Sequence, residues 1–146
     1  MQVSAEQAWA WATSAAGINA ELWPFLKMSA PAKFSKLDGS AITLGRPIFR
    51  SWILLFGVLP IDRSDLTVVE MEEGRRFVER SPMRSMRLWQ HERIIEPDGV
   101  GAVRVTDHLT FEPRLAGRLV AWFVDRLFRN RHRVLIERLS VRAADN

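Results

Sequence analysis

The hydrophobic pattern is most regular between Arg87 and Glu112, where apolar and polar positions alternate along two extended segments. Alternation with a period of two residues is typical of a β-strand that is buried on one face. On the second segment the apolar-face positions are Val103, Val105, Asp107, Leu109 and Phe111. A short turn at residues 97–100 separates the two segments, so the pattern predicts a β-hairpin. Asp107 is the acidic exception on the apolar face.

The first strand of this hairpin is predicted to bring a histidine close to that acid. The odd-numbered positions of this strand, which share one face, are Trp89, His91, Arg93 and Ile95. With the turn centred on Gly99, Ile95 faces Val103. The same register sets His91 opposite Asp107 as a cross-strand pair. We therefore expect an imidazole and a carboxylate to meet on the inner face of the sheet.

The strand before the hairpin adds a second carboxylate to this face. Between Phe77 and Met83, Glu79 alternates in step with two large apolar side chains. If the intervening turn preserves parity, Glu79 and Trp89 share the interior that His91 occupies. An apolar wall that carries a few polar groups is typical of a ligand pocket.

Further short apolar segments, separated by turn signals, indicate an antiparallel meander. The predicted strands are Ile48–Leu59, Leu66–Glu72, Phe77–Met83, Arg87–Glu96 and Ala102–Glu112, with a brief one near Lys33–Leu37. One of the predicted turns is Pro60-Ile61-Asp62. Connections this short favour pairing of each strand with the next one along the chain.

Two short helices are predicted near the start of the chain. Ser4 and Gln7 match a capping box, and the helix that follows is predicted to end at Gly17. Asn19 is predicted to cap a second helix over the segment AELWPFLKM, which Pro24 shortens.

One long helix is predicted to begin near Leu115. Its apolar positions recur at steps of three and four residues and are Leu119, Val120, Phe123, Leu127, Phe128, Leu135 and Leu139. About 25 residues give a length of ~37 Å, enough to cross the sheet. Its opposite side carries Arg118, Arg126, Arg129, Arg133 and Arg138. The basic run at 129–133 is interpreted as a solvated face, and His132 as a hydrogen-bonded histidine at the edge of the core.

Composition favours one globular domain, residues 1–146, with 47% hydrophobic and 26% charged residues. The absence of cysteine excludes disulfides and thiolate chemistry. The N-terminus lacks the pattern of a signal peptide, and the longest apolar run, Trp52–Pro60, is far shorter than the ~20 residues of a membrane helix. We expect a cytoplasmic protein with no membrane span. The net charge of +4 favours anionic partners only weakly.

His91, Asp107 and Glu79 are the candidate catalytic residues. An imidazole oriented by a carboxylate in an apolar pocket can polarise a carbonyl or move a proton. The same groups can instead fix a ligand without chemistry, and pairing of Asp107 with His91 or Arg93 can serve structure alone. These three interpretations stay open. We expect no metal or other cofactor, because the three histidines do not converge.

These elements carry a resemblance to a known superfamily. Trp89, His91, Asp107, Phe111 and Pro113 match a pattern of Trp-x-His-x-His, an Asp in the next strand, then an aromatic residue and Pro before the final helix. The chain therefore resembles a ligand-binding bacterial branch of the START-like, Bet v 1-like superfamily (SRPBCC), which includes polyketide cyclase/dehydrase-type proteins. Arg93 stands where that pattern has its second histidine.

The resemblance implies an α+β helix-grip fold. In that fold a curved antiparallel meander wraps around a long C-terminal helix, and two short helices lie near the N-terminus. The family's first strand is truncated or missing here, because only Met1-Gln2-Val3 precede the first helix. Either the strand is short or the true start of the protein lies upstream.

The resemblance also implies a cavity between sheet and helix for a hydrophobic or aromatic small molecule, such as a lipid, a polyketide or a quinone-like compound. The predicted ligand contacts are Phe77, Glu79, Trp89, His91, Arg93, Asp107, Leu109, Phe123 and Leu127. One alternative is a cyclase/dehydrase-like enzyme that uses His91 and Asp107. A further alternative is an interaction module that uses the Arg-rich helix face, although nucleic acid is not the expected partner. Trp52 also suggests a contact in a homodimer.

Overall fold

The computed structural model describes residues 1–39 and 41–144. The elements in chain order are α1 (Ala5–Thr13), α2 (Ala15–Leu22), β1 (Leu26–Met28), β2 (Pro47–Leu55), β3 (Leu59–Glu72), β4 (Arg76–Arg80), β5 (Met86–Pro97), β6 (Val103–Pro113) and α3 (Gly117–Ala144). Each strand pairs antiparallel with the next one, so the order in the sheet is β1 to β6. The sheet curls into a half-barrel beside the long helix α3. The predicted α+β architecture is confirmed.

The chain ahead of α1 reaches the sheet without forming a strand. Met1 exchanges backbone hydrogen bonds with Val103, at 3.2 and 2.9 Å, next to the end of the β5–β6 loop. Ser4 then caps α1 and forms with Gln7 the capping box that the sequence predicted. In place of a first strand, the chain ahead of α1 thus has one pair of backbone hydrogen bonds to the start of β6.

The boundary between α1 and α2 differs from the prediction. Ser14, rather than Gly17, ends α1, and its side chain caps α2 by accepting from the Gly17 amide at 2.9 Å. Gly17 lies inside α2, where a Cβ atom would be 2.1 Å from the carbonyl oxygen of Trp11. Glycine is required here by the close approach of the two helices and not by a helix end.

The second predicted helix was too long. α2 ends at Leu22, ahead of the cis peptide bond between Trp23 and Pro24, and β1 follows. The side chain of Asn19, predicted to be a cap, instead exchanges two hydrogen bonds with the backbone of Met28. In the predicted strand near Lys33–Leu37 the structure has one isolated bridge, at Lys36.

The prediction of one strand from Ile48 to Leu59 was also wrong. A turn at residues 56–58 separates β2 from β3, and the predicted turn at 60–62 lies inside β3. Phe56 and Gly57 have φ angles of 52° and 77°, as the mirror-image turns of tight hairpins require. Asparagine or glycine usually occupies the first of these positions. Phe56 therefore gave no turn signal.

The register of the β5–β6 hairpin is shifted by two residues from the prediction. Ile95 pairs with Val105 and Arg93 with Asp107. The connection is longer than expected, because the amide of Asp98 donates to the carbonyl oxygen of Ala102 at 2.9 Å and closes a five-residue loop. A shift of two residues preserves the face of every side chain, so the predicted inner row of the hairpin is retained.

The core is divided between two ends of α3. Near its C-terminal end, Leu135 and Leu139 are almost fully buried and belong to a cluster that includes Trp9 of α1. Closer to its start, Leu127 and Phe128 belong to a second cluster with α2 and β1. The predicted apolar stripe of the helix is therefore confirmed in its main positions.

Candidate functional site

A cavity of about 430 Å³ lies between the curled sheet and the helices α2 and α3. Its walls are mostly aliphatic and aromatic side chains from every layer of the fold. Of the nine residues predicted to contact a ligand, six line it: Phe77, Glu79, Trp89, His91, Phe123 and Leu127. A volume in this range matches the pockets that enclose small molecules.

The other three predicted contacts lie outside the cavity wall. Arg93 and Asp107 are behind His91, where they bond to each other and to the helices. Leu109 packs against the second core cluster. Because cross-strand neighbours and cavity neighbours differ on a curled sheet, shared parity did not guarantee contact with the cavity.

Asp107 accepts four hydrogen bonds. Its Oδ1 atom accepts from Nε2 of His91 and Nε of Arg93, both at 2.7 Å. Its Oδ2 atom accepts from Nη2 of Arg93 at 2.8 Å and from Nε2 of His132 at 2.7 Å. The side chain is only 4% exposed, yet every lone-pair direction of the carboxylate meets a donor. The predicted contact between His91 and Asp107 is thus present as a diagonal pair.

Arg93 joins this acid to a second one that the sequence did not reveal. Its Nη1 atom donates to both carboxylate oxygens of Glu21 in α2, at 2.9 and 3.0 Å. Nη2 of Arg131 in α3 also donates to Glu21, at 3.2 Å. Arg93 and Glu21 are 0% exposed, so their charges are stabilised by each other and not by solvent.

The ion pairs of this cluster determine the direction in which the pKa values of Asp107 and Arg93 are shifted. Burial by itself raises the pKa of Asp107, but the charge of Arg93 and the hydrogen bonds from Arg93, His132 and His91 outweigh it. The pKa of Asp107 therefore lies well below its ordinary value. Burial lowers the pKa of Arg93, and the charges of Glu21 and Asp107 reverse that effect and raise it. Asp107 is ionised and Arg93 is protonated throughout the physiological range.

His91 connects the ionic cluster to the cavity. It is 2% exposed, and its ring makes edge-on contacts with Phe77 at 5.9 Å and with Phe128 at 5.3 Å. Nε2 is bonded to Asp107, whereas Nδ1 lies 3.9 Å from Oε2 of Glu79. Two aromatic rings and one carboxylate thus fix the orientation of an imidazole that lines the cavity.

The helix residues of the site were predicted differently or missed. The basic run at 129–133 was interpreted as solvated, but Asn130 and Arg131 are each only 7% exposed. Arg131 lies three residues after Phe128 and four before Leu135, so its helical position on the apolar stripe was a usable signal. His132 is satisfied at the core edge, as predicted, and Asp107 is its partner.

The other end of the cavity is its opening. Ile61, Leu119 and Trp122 line the cavity and are 49%, 64% and 56% exposed. Nearby, the buried carboxylate of Asp62 accepts from the backbone amides of Arg63 and Ser85 and from the hydroxyl of Ser85. The amide of Arg114 donates to the carbonyl oxygen of Ser85, which joins the connection between β6 and α3 to this rim.

Two further observations concern metal sites and membrane spans. Within residues 1–39 and 41–144, no group of three or more His, Cys, Asp or Glu side chains is placed to hold a metal ion. Over the same residues, no helix is both long and apolar enough to cross a lipid bilayer.

A family model described as a domain of unknown function, DUF8410, matches residues 1–139. The chain belongs to the DUF8410 family. No curated protein matches this DUF8410 chain. Among solved structures it is similar to protein CV1439 from Chromobacterium violaceum, with a TM-score of 0.67, 11% identity and coverage of 95% of this chain and 91% of that one. It is also similar to TTHA0849 from Thermus thermophilus, with a TM-score of 0.57, 17% identity and coverage of 99% and 92%. At these identities the likeness shows the fold alone.

Proposed function

We propose that this DUF8410 protein binds a hydrophobic or aromatic small molecule, such as a lipid, a polyketide or a quinone-like compound, in the cavity between sheet and α3. The observation that carries the proposal is the cavity of about 430 Å³, whose wall is mostly apolar and includes a few polar side chains, among them His91, Glu79 and Arg131. Burial of an apolar ligand in such a space is favourable, and a few polar groups fix its orientation. The resemblance to the START-like SRPBCC superfamily agrees with this proposal.

The cavity wall also explains how a ligand would be held. Trp89 stacks at a tilt against Phe111 and Phe128, with ring centroids 6.0 and 6.4 Å apart. Rigid aromatic side chains lose little conformational entropy when a ligand packs against them. The exposed apolar side chains at the opening provide a largely apolar route of entry.

A cavity-filling variant tests this proposal. Leu127→Trp places a larger side chain at the cavity wall, whereas Ile136→Trp makes a matched addition on the exposed side of α3. Titration with the uncharged fluorescent probe N-phenyl-1-naphthylamine should give saturable binding to the wild type and to Ile136→Trp, and much weaker binding to Leu127→Trp. Native mass spectrometry of protein purified from its host should detect a bound apolar molecule. Equal probe binding by both variants, or none by the wild type, contradicts the proposal.

A second candidate is an enzyme of the cyclase/dehydrase type, favoured by the orientation of His91. An ionised carboxylate behind Nε2 leaves Nδ1 directed to the cavity side, as a general base requires. Exchange of the α-protons of 2-tetralone in D₂O, followed by NMR, tests this activity. Faster exchange with the wild type than with His91→Gln and Asp107→Asn supports catalysis, and identical rates for folded variants exclude it for this class of substrate.

The exposed face of α3 gives less support to the third alternative, an interaction module. Arg129 pairs with Asp125 at 2.9 Å and Arg133 with Glu137 at 3.0 Å. Because acids alternate with these arginines, the face lacks the uniform positive charge of a phosphate-binding surface. The side chain of Trp52 is 45% exposed beneath Arg63, and a homodimer contact there stays a prediction.

A further inference from the structure

The hydrogen-bonding character of the buried cavity end is set by Asp107. This carboxylate is ionised and already accepts two bonds from Arg93, so it has no proton to give to His91. The 2.7 Å contact between Nε2 of His91 and Oδ1 of Asp107 therefore has the proton on Nε2. In the neutral ring Nδ1 is then an acceptor, and it is the nitrogen on the side of Glu79.

Glu79 is fixed in a similar way, with one oxygen in use and one free. Its Oε1 atom accepts from the hydroxyl of Ser81 at 2.8 Å, and Ser81 in turn accepts from the amide of Thr67 at 3.0 Å. No residue in the described part of the chain donates a hydrogen bond to Oε2 of Glu79 or bonds to Nδ1 of His91. Both side chains line the cavity.

The separation of these two atoms defines what can lie between them. Nδ1 of His91 and Oε2 of Glu79 are 3.9 Å apart, too far for a direct hydrogen bond. A single oxygen or nitrogen at about 2.8 Å from each fits that gap. If His91 is neutral, both atoms accept. If it is protonated, Nδ1 donates and Oε2 still accepts. In either state the incoming group must donate at least one hydrogen bond.

We propose that the cavity selects apolar molecules that carry a hydrogen-bond donor, a hydroxyl or an amine, at the buried end, and that it disfavours the matching carboxylates. This inference rests on the proposed function and adds the polarity of the ligand to it. A carboxylate has no proton to donate at neutral pH and meets the like charge of Glu79 at short range. The positive charge of Arg131, which also lines the cavity, is already paired with Glu21. A site built to bond a hydroxyl also discriminates against an analogue that lacks it.

Three naphthalene probes of one skeleton test the proposal: 2-naphthol, 2-methoxynaphthalene and 2-naphthoate. Their dissociation constants at pH 7 should be measured by calorimetry with the wild type, with Glu79→Gln and with Glu96→Gln, a matched change at an exposed residue. We expect the wild type and Glu96→Gln to bind 2-naphthol about 10- to 100-fold more tightly than the methyl ether, and 2-naphthoate most weakly. In Glu79→Gln an amide replaces the free oxygen, so the preference for naphthol should shrink and the penalty on the carboxylate should fall.

The outcomes separate this inference from the proposed function. Equal affinities for all three probes in the wild type, or affinity ratios in Glu79→Gln that equal those of the wild type, overturn the donor preference and leave a cavity that binds by shape alone. Failure of every probe to bind the wild type overturns both proposals. Binding of 2-methoxynaphthalene by Glu79→Gln verifies that the variant keeps its cavity. If that variant does not fold, the ranking in the wild type decides.

Discussion

Ion pairs of similar composition occur in two very different regions of this molecule. In the buried cluster, Arg93 bridges Glu21 and Asp107 with side chains that are 0%, 0% and 4% exposed. On the outer face of α3, Arg133 contacts Glu137 at a similar distance, but the two side chains are 58% and 60% exposed. The distances alone do not distinguish these pairs.

The difference in burial changes what each pair does. Solvent screens the outer pair, and either partner can be removed at little cost because water solvates the other. In the buried cluster, each charge is stable only because its partners are present, so removal of one strands another in a medium of low polarity. The cluster also connects α2, β5, β6 and α3, and it holds His91 at the cavity. The buried region therefore links the stability of the fold to the geometry of the candidate site.

The largest expected effect is the loss of Arg93. Arg93→Met keeps much of the side-chain volume but leaves two buried carboxylates without their shared cation. We expect the free energy of unfolding to fall by about 3–5 kcal/mol. The control, Arg129→Met, removes the exposed partner of Asp125 on α3 and should change it by about 0.5 kcal/mol or less. Chemical denaturation of both variants measures this, and equal losses would show that burial does not set the difference.

The two histidines on Asp107 sharpen the comparison within one cluster. His91 is 2% exposed, whereas the side chain of His132 is 37% exposed. His91→Phe retains the aromatic packing but removes a bond to a buried carboxylate, which should cost about 1–3 kcal/mol. His132→Phe should cost about 1 kcal/mol or less, since His132 is itself partly solvated and its bond to Asp107 lies at the edge of the core. Thermal unfolding compares the two, and a larger loss for His132→Phe would refute the ranking.

The lowered pKa of Asp107 makes the stability contributed by the buried cluster sensitive to acid. The stability from this group is complete above the ordinary carboxyl pKa of 3.8 and is lost as the pH falls below it. Below that value the unfolded chain binds a proton that the folded chain does not. The free energy of unfolding should then fall by about 1.4 kcal/mol per pH unit from Asp107 alone. Denaturation of the wild type between pH 5 and pH 3 should be steeper in pH than that of Asp107→Asn, and parallel slopes would contradict this origin.

Local patterns predicted the strands of the site but not its full set of partners. The position of Asp107 on an apolar strand face predicted a partner for it, because burial of an unpaired acid is costly. Strand parity also identified His91 and Glu79, and it survived the register error because the shift was two residues. These inferences required only the period of a strand.

Glu21 was missed because its partners are distant in sequence. Its bonds to Arg93 and Arg131 span 72 and 110 residues. No period within α2 reveals a contact of that kind, since it depends on how α2 and α3 pack over the curled sheet. Phe56 illustrates a different limit, because its left-handed backbone conformation is imposed by the hairpin and is not one that phenylalanine favours.

The smallest expected effect concerns the outer pair itself. In a double-mutant cycle of Arg133→Ala and Glu137→Ala, we expect a coupling free energy of about 0.3–0.5 kcal/mol at low salt. Because both side chains are exposed, this coupling should shrink further at 1 M salt, where the screening length is about 3 Å. The destabilisation by Arg93→Met should change far less with salt, since the cluster is shielded from mobile ions. A coupling on α3 that resists salt would mean that exposure does not govern these pairs, and the contrast between the two regions would then have to rest on their different numbers of partners.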